Sequence, residues 1–199
     1  ASAASTIAGK PLALATSETS TLIGLEAHPI SIEVCCTRGP SFFQMVGLAH
    51  AAVREARVRV AGALAGLGVL LDEHAVTLNL APADLRKTDA ALDLAIAVSL
   101  LDALGHIPEG SARGALLLGE LSLDGRLQPV RGVLPLLEGA RARGLRRAIV
   151  PSANAAEAAL VPALDVRLAT SLPALVAHLR GESALPRPRR EQLRLMART

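Results

Sequence analysis

Tryptophan and tyrosine are missing from this 199-residue chain, and Phe42 and Phe43 are its only phenylalanines. A core must therefore be built from Leu, Ala, Val and Ile. No set of aromatic side chains is available to stack the bases of a single strand, which argues against strong autonomous single-strand binding. Cysteine is almost as scarce: Cys35 and Cys36 are adjacent, a spacing that suits neither an ordinary disulfide nor a zinc site. Lys10 and Lys87 are the only lysines, and His28, His50, His74, His106 and His178 include no pair at ligand spacing. No apolar run approaches the ~20 residues that cross a bilayer, and no charged-then-apolar signal segment opens the sequence. These absences point to a cytoplasmic protein with no membrane partner and no metal site.

What is present is apolar mass and a localised charge. Half of the residues are apolar, enough for one sizeable domain. The formal net charge is +3, yet residues 1–181 hold 16 Lys/Arg and 16 Asp/Glu. The whole excess lies in residues 182–199, where Arg187, Arg189, Arg190, Arg194 and Arg198 are set against Glu182 and Glu191. With Pro186 and Pro188, this stretch reads as a basic Pro/Arg linker, either solvated or touching an acidic partner. Residues 1–20 read as a flexible leader of Ala, Ser and Thr, which leaves one domain over residues 21–181.

Within that domain, residues 21–37 carry two strand-like runs about a turn candidate at Ala27-His28-Pro29. Ile30, Ile32 and Val34 alternate with Ser31, Glu33 and Cys35, so one face is expected to be buried. A short strand is predicted over 43–48 and a helix over 52–67, where Val53, Ala56, Val60, Ala63, Leu64 and Leu67 recur at three and four. Arg54, Arg57 and Arg59 lie off that stripe, on a solvated face or at a phosphate or subunit contact. A strand over 76–80, a loop over 81–87 and an apolar helix over 92–104 follow, the helix closed by Gly105 and Pro108. Leu116-Leu117-Leu118 reads as a buried strand, and Asp124-Gly125 between Leu121, Leu123 and Leu127 as a hairpin turn. Pro129 ends that ladder, and Gly132 admits a helix ending near Arg143. Strands over 148–150 and 166–168, an Ala-rich helix opened by 151–154 and a closing helix over 172–179 complete a mixed α/β, or α+β, domain.

Residues 119–125 read Gly-Glu-Leu-Ser-Leu-Asp-Gly and residues 129–135 Pro-Val-Arg-Gly-Val-Leu-Pro. These phrases, with Leu22-Ile23-Gly24-Leu25-Glu26-Ala27, Arg38-Gly39 and the 81–87 heptad, resemble the amino-terminal domain of the ComM/YifB family, often labelled Mg-chelatase-like. The segment also resembles Lon-type protease domains, in which a Gly-Glu pair and a hairpin lead to a helix carrying a catalytic lysine. The resemblance runs over about residues 21–181. It implies a Lon-protease-domain-like fold, shared with the second domain of ribosomal protein S five. The sequence departs from the family pattern at Pro40-Ser41, at Ala49-His50 and at Asp89-Ala90, all in loops leading into helices.

A Ser-Lys dyad needs a hydroxyl and an amine within hydrogen-bond reach. The position matching the Lon serine falls on Ala91 or, with a shift of one, Leu92, and the residues after Gly132 are Val133, Leu134 and Pro135. No catalytic residue is expected. Asp89 and Asp93 read as carboxylates capping a helix start, and Ser99 as a buried hydroxyl bonded to its own helix. The single Gly-Lys pair, Gly9-Lys10, precedes Pro11 and lacks the earlier glycine of a phosphate-cradling loop, so ATP is not expected to bind here.

The resemblance implies a non-catalytic accessory domain of an AAA+ ATPase that remodels DNA in natural transformation and recombination. ATP and Mg would belong only to the AAA+ module, which this sequence lacks. The partners implied are that module, like subunits in a hexamer, and DNA. The label Mg-chelatase-like is expected to reflect likeness in the ATPase part. Candidate DNA contacts are Arg54, Arg57, Arg59, Arg86, Lys87, Arg141, Arg143, Arg146 and Arg147, acting on phosphates and therefore weakening steeply with salt. An oligomerisation module without a nucleic-acid role is the alternative. A residual peptidase, with Ser99 or Ser122 as its remaining candidate serines, is a third.

Overall fold

The structure is a computed structural model that describes residues 13–37, 39–47, 50–83 and 90–189. Its strands in chain order are β1 (Ala13–Ile23), β2 (Glu26–Thr37), β3 (Phe42–Val46), β4 (Ala75–Ala81), β5 (Ala115–Leu117), β6 (Glu120–Leu121), β7 (Leu127–Gln128), β8 (Arg147–Pro151) and β9 (Asp165–Ala169). The helices are α1 (His50–Ala65), α2 (Asp93–Ala103), α3 (Val133–Ala142), α4 (Ala155–Ala158) and α5 (Leu172–Leu179). No helix among the described residues is long and apolar enough to cross a membrane.

β2 does what its alternation dictates. Ile30, Ile32, Val34 and Cys36 are buried while Ser31 and Glu33 face out. β1 pairs with it antiparallel along its full length, from Ala13↔Cys36 to Ile23↔Glu26. Gly24, at φ +64°, takes the first place of the two-residue turn and supplies the positive φ that such a hairpin needs. The turn therefore lies at Gly24-Leu25, not at Ala27-His28-Pro29, which belong to β2. Pro29 is tolerated because β4 does not reach it: the β2–β4 ladder runs from Thr37↔Ala75 to Ser31↔Ala81.

Residues 13–20, expected as leader, form most of β1. The inward side chains of β1 are Ala15, Ser17, Thr19 and Thr21, so its buried face carries hydroxyls and shows no apolar alternation. Ser17 Oγ donates to the Ala95 carbonyl at 2.9 Å and lies 2.5 Å from Ser99 Oγ. Small side chains let α2 approach β1 closely; Ser17 is satisfied there, whereas buried Thr19 Oγ1 has no hydrogen-bond partner among the described residues.

One seven-stranded sheet has the order β3-β4-β2-β1-β5-β8-β9, and β6 and β7 form a separate hairpin. The β1–β2 and β2–β4 ladders are antiparallel; β3–β4, β1–β5, β5–β8 and β8–β9 are parallel. The α+β class expected from the sequence is the class observed. Two apolar clusters lie on opposite faces of the sheet, because alternate residues of β5 and β8 point opposite ways. Leu117 and Ile149 join α1, α2 and α5, with Leu121 and Leu127 of the hairpin. Leu116, Leu118, Ala148 and Val150 join α3 and α4. All nine residues from Asp93 to Leu101 of α2 are buried, as a helix apolar all round requires. On the other face of β3, β4, β2 and β1, Thr16, Glu33, Gln44 and Asn79 are exposed, while α3 covers the β1–β2 hairpin end, where Ser20 is buried.

Residues 182–189, expected as solvated linker, continue the fold. Leu185 is 6% exposed. The Leu168 N–H donates to the Pro186 carbonyl at 2.9 Å, and Arg167 Nη1 to the Leu185 carbonyl at 3.1 Å. Arg190, Arg194 and Arg198, the rest of the expected basic linker, lie outside the described residues.

Candidate nucleic-acid interface

The structure sets the candidate arginines on two opposite sides of the sheet. Arg54, Arg57 and Arg59 ride on α1, which packs into the first apolar cluster. Arg141, Arg143 and Arg146 lie at the end of α3 and just before β8, over the second, while Arg147, with the strand parity of Ile149, faces the first cluster's side next to α5. They do not make one basic patch. Arg86 and Lys87 lie outside the described residues.

Arg59 is neither solvated nor poised for an outside phosphate. Its Nε donates to Asp93 Oδ2 at 2.6 Å and its Nη2 to Asp93 Oδ1 at 3.1 Å, a bidentate pair. Asp93 is 1% exposed and also accepts the Leu121 N–H at 3.1 Å. Burial holds the Asp93 carboxyl above the usual aspartate range, while Arg59 and the Leu121 N–H pull it back. The Asp93 bond raises Arg59 in turn. This overturns the capping expectation for Asp93: the helix start, at Leu92, has no side-chain cap bond. The carboxylate instead ties α1, α2 and the β6–β7 hairpin together. Asp89 lies outside the described residues. Arg57 lies 5.5 Å from the centroid of the Phe43 ring and 3.6 Å from Asp72, which leaves exposed Arg54 as the α1 arginine with no such contact among the described residues.

On the other side, Arg141 pairs with Glu138 at 2.8 Å, and Arg143 donates to Ser20 Oγ at 2.9 Å. Arg146 is exposed, and Arg147 donates to the backbone carbonyls of Ser111 and Arg113. The parallel ladder brings further charge to this end of the sheet: Arg147 lies beside Asp165, two residues before Arg167 on β9. Asp165 accepts Arg167 Nε at 2.9 Å and Arg187 Nε at 3.0 Å. Burial would raise its carboxyl, but the two guanidinium groups hold it below the usual range. Arg167 and Arg187 were absent from the sequence-based candidates. The available signal was a basic residue in each of two consecutive short strands, visible only once those strands are known to be parallel neighbours.

The positions that would carry a Lon-type dyad are apolar. Ala91, Leu92 and Val133 are 2%, 2% and 0% exposed; Ala91 and Val133 lie in one cluster with Val130 and Leu118, and Leu92 lies in the other. Asn154 secures this region: its Oδ1 accepts the Val130 N–H at 2.9 Å and its Nδ2 donates to the Val130 carbonyl at 2.8 Å. Ser99, fully buried, donates to the Ala95 carbonyl at 2.9 Å, as its sequence setting predicts. Ser122 Oγ accepts from the Gln128 amide at 2.6 Å. Among the described residues no three His, Cys, Asp or Glu side chains form a donor set for a metal.

A family model described as subunit ChlI of Mg-chelatase matches residues 32–154. An uncharacterized protein of Mycobacterium tuberculosis is 41% identical over 162 residues, which is 81% of this chain and 32% of that protein. A protein named YifB in Escherichia coli is 36% identical over 178 residues, 89% of this chain and 35% of that protein. The competence protein ComM of Haemophilus influenzae is 35% identical over 164 residues, 82% of this chain and 32% of that protein. The chain belongs to the Mg-chelatase-like ChlI family, in its ComM/YifB group. It spans about a third of the length of the curated relatives it matches. The ChlI description falls on this domain itself, which corrects the expectation that the label reflects an ATPase part alone.

Proposed function

We propose that this domain is a non-catalytic, Lon-protease-like accessory part of an AAA+ ATPase that acts on DNA, where it assists ring assembly or guides the strand. One observation supports the non-catalytic half of the reading: the positions expected for the dyad, Ala91 or Leu92 and Val133, are buried in the two apolar clusters. On this reading those positions offer neither an amine nor a hydroxyl to serve as base or nucleophile among the described residues. The DNA half draws on the name of the competence relative and on exposed Arg146 beside Arg147 at one end of the sheet. ATP and Mg belong to a neighbouring module on this reading, and like subunits complete the ring, as a hexamer in the cytoplasm.

Labelled duplex and single-stranded DNA, followed by fluorescence anisotropy through a salt series, test it. Binding should be weak and fall steeply with salt. Arg146→Ala with Arg147→Ala should lower the log–log salt slope by about one to two. A slope and affinity untouched by that pair would remove these arginines and leave ring assembly as the domain's task. The exposed part of the sheet face, with Leu14, Phe42 and Val46 exposed at 66%, 49% and 47%, favours a protein-contact role as the second reading. A monomer by light scattering at high concentration would count against it.

A further inference from the structure

Between the starts of β5, β8 and β9 and the side of α5 lies a cavity of about 210 Å³, lined by Ser111, Arg147, Asp165, Arg167 and His178 among others. Arg147 spends two of its five donors on the Ser111 and Arg113 carbonyls. Arg167 spends three, on Asp165 and the Leu185 carbonyl. Both guanidinium groups keep unused donors. His178 Nδ1 accepts the Leu185 N–H at 3.2 Å, so the neutral ring carries its proton on Nε2 and is also a donor. Ser111 Oγ is buried and has no hydrogen-bond partner among the described residues. A buried hydroxyl without a partner is uncommon, and this one borders a cavity whose other polar groups are chiefly donors.

Asp165 is the one acidic group of the lining. Its charge is already taken up by Arg167 and by Arg187 from the carboxy-terminal stretch. We propose that this cavity is a binding site for a phosphate-class oxyanion, held by Arg147 and Arg167, with Ser111 Oγ and His178 Nε2 as the neutral donors. The anion supplies the acceptor that Ser111 lacks and balances the charge excess of Arg147. The chemistry fits a free oxyanion and the phosphodiester of a nucleic acid equally, so the inference does not rest on the domain's contacting DNA.

The geometry gives the site a pH signature. Burial first, and then Arg167 and Arg147, push His178 below the ordinary imidazole range, with Asp165 pulling the other way. Among the charged groups, Arg147 faces the ring from β8, and Asp165 and Arg167 from β9. Arg187 is bonded to Asp165, and Arg180 and Glu182, which pair with each other, follow His178 on its own segment. An anion placed among them offsets the two guanidinium charges and raises His178. By linkage the complex takes up a proton, and affinity rises as pH falls through the His178 value of the anion-bound protein.

The test uses the full chain and sodium sulfate, whose charge is constant across the ordinary imidazole range of about pH 5 to 8. Sulfate is titrated against the His178 ring resonances and, in parallel, by calorimetry in two buffers of different ionisation enthalpy. The expected result is saturable binding that shifts His178 to higher pKa, tightens several-fold on acidification and weakens at least tenfold in Arg147→Gln. Ser111→Ala, which removes only the hydroxyl, should weaken it several-fold with unchanged thermal stability. Ring resonances that do not respond to sulfate, or a response equal in the two variants and the parent, would overturn the site. A short single-stranded oligonucleotide then assigns the source. Displacement of sulfate identifies the polymer's phosphates, and undisturbed sulfate identifies a free oxyanion.

Discussion

Arg59 and Asp93 come from different helices and meet in a place where the carboxylate is costly to keep charged without its partner. The carboxylate is 1% exposed, the Arg59 side chain 22%, so the arginine can reach water if its partner is lost while the aspartate cannot. Arg59→Ala is therefore expected to cost about 3–5 kcal/mol near neutral pH, the range for stranding one member of a buried pair. The sign with pH follows from Asp93. Its carboxyl is already raised by burial, and the variant loses the lowering effect of Arg59. A carboxyl raised in the folded state adds stability below the unfolded value, and that stability is lost as pH rises through the folded value. The penalty should thus shrink as pH falls toward about 4, the unfolded aspartate value, as read from urea unfolding midpoints followed by circular dichroism. Asp93→Leu in the Arg59→Met background should recover most of the loss, since apolar replacement of a buried pair is often neutral. Additive losses would show that the two groups act separately. None of this was legible in the sequence, where Arg59 is a charge off an apolar stripe and Asp93 a carboxylate at a helix start. The low dielectric that couples them is created by the β6–β7 hairpin, which brings the Leu121 N–H onto the same oxygen.

At the scale of elements, the sequence revealed most where apolar periodicity was clean. The closing helix was expected over 172–179 and is found at Leu172–Leu179. The central strand, hairpin and helix fall within two residues of their predicted bounds, because a Leu run, Asp124-Gly125 and Gly132 each impose a local conformation. β1 failed for a physical reason: its buried side chains are hydroxyls matched to α2, a pairing that no local pattern announces. The edge of the sheet depends on Gly47, which ends β3 at φ +89° against the backbone carbonyl of Leu80 on β4. A Cβ there would meet that carbonyl as well as the strained backbone. Gly144, at φ +87°, has open space around it. Gly144→Ala should cost about 1–2 kcal/mol, the left-handed penalty alone. Gly47→Ala should cost that plus about 1–3 kcal/mol for overpacking. Equal unfolding midpoints for the two variants would show that β3 is not held in this register.

For the whole molecule, the boundary of the domain lies beyond α5. Leu185 fills the first apolar cluster beside Leu175 and Val176, and its flanking backbone is bonded to β9 and to His178. Burying such a side chain contributes about 1.5–3 kcal/mol. Leu185→Ala should destabilise the chain by about 2 kcal/mol, and a chain ending at Gly181 by at least as much, measured as a lowered urea midpoint with unchanged slope. A Gly181 terminus with the parent's midpoint would return residues 182–189 to the status of a tether. The charge count that marked 182–199 as linker was correct arithmetic, but it could not see that Arg187 is bonded to Asp165 or that a lone Leu among prolines has a socket.

The sheet has a seam. β1 and β5 meet through a register of one residue pair, Glu18↔Leu116, whereas β1 and β2 share a ladder eleven pairs long. On one side of the seam lie strands from the first part of the chain, on the other strands from the last, and α2 packs beneath the junction: the Leu94 N–H donates to the Gly119 carbonyl, and the Gly119 N–H to the Ala91 carbonyl just before the helix. The consequence is entropic. Each half closes through contacts near in sequence, at small cost in chain entropy, while the seam joins segments roughly a hundred residues apart. Closing the seam therefore carries the largest chain-entropy cost in the sheet, and α2, which packs against β1 and β2 and bonds to the backbone just beyond β5, is the element that holds it shut.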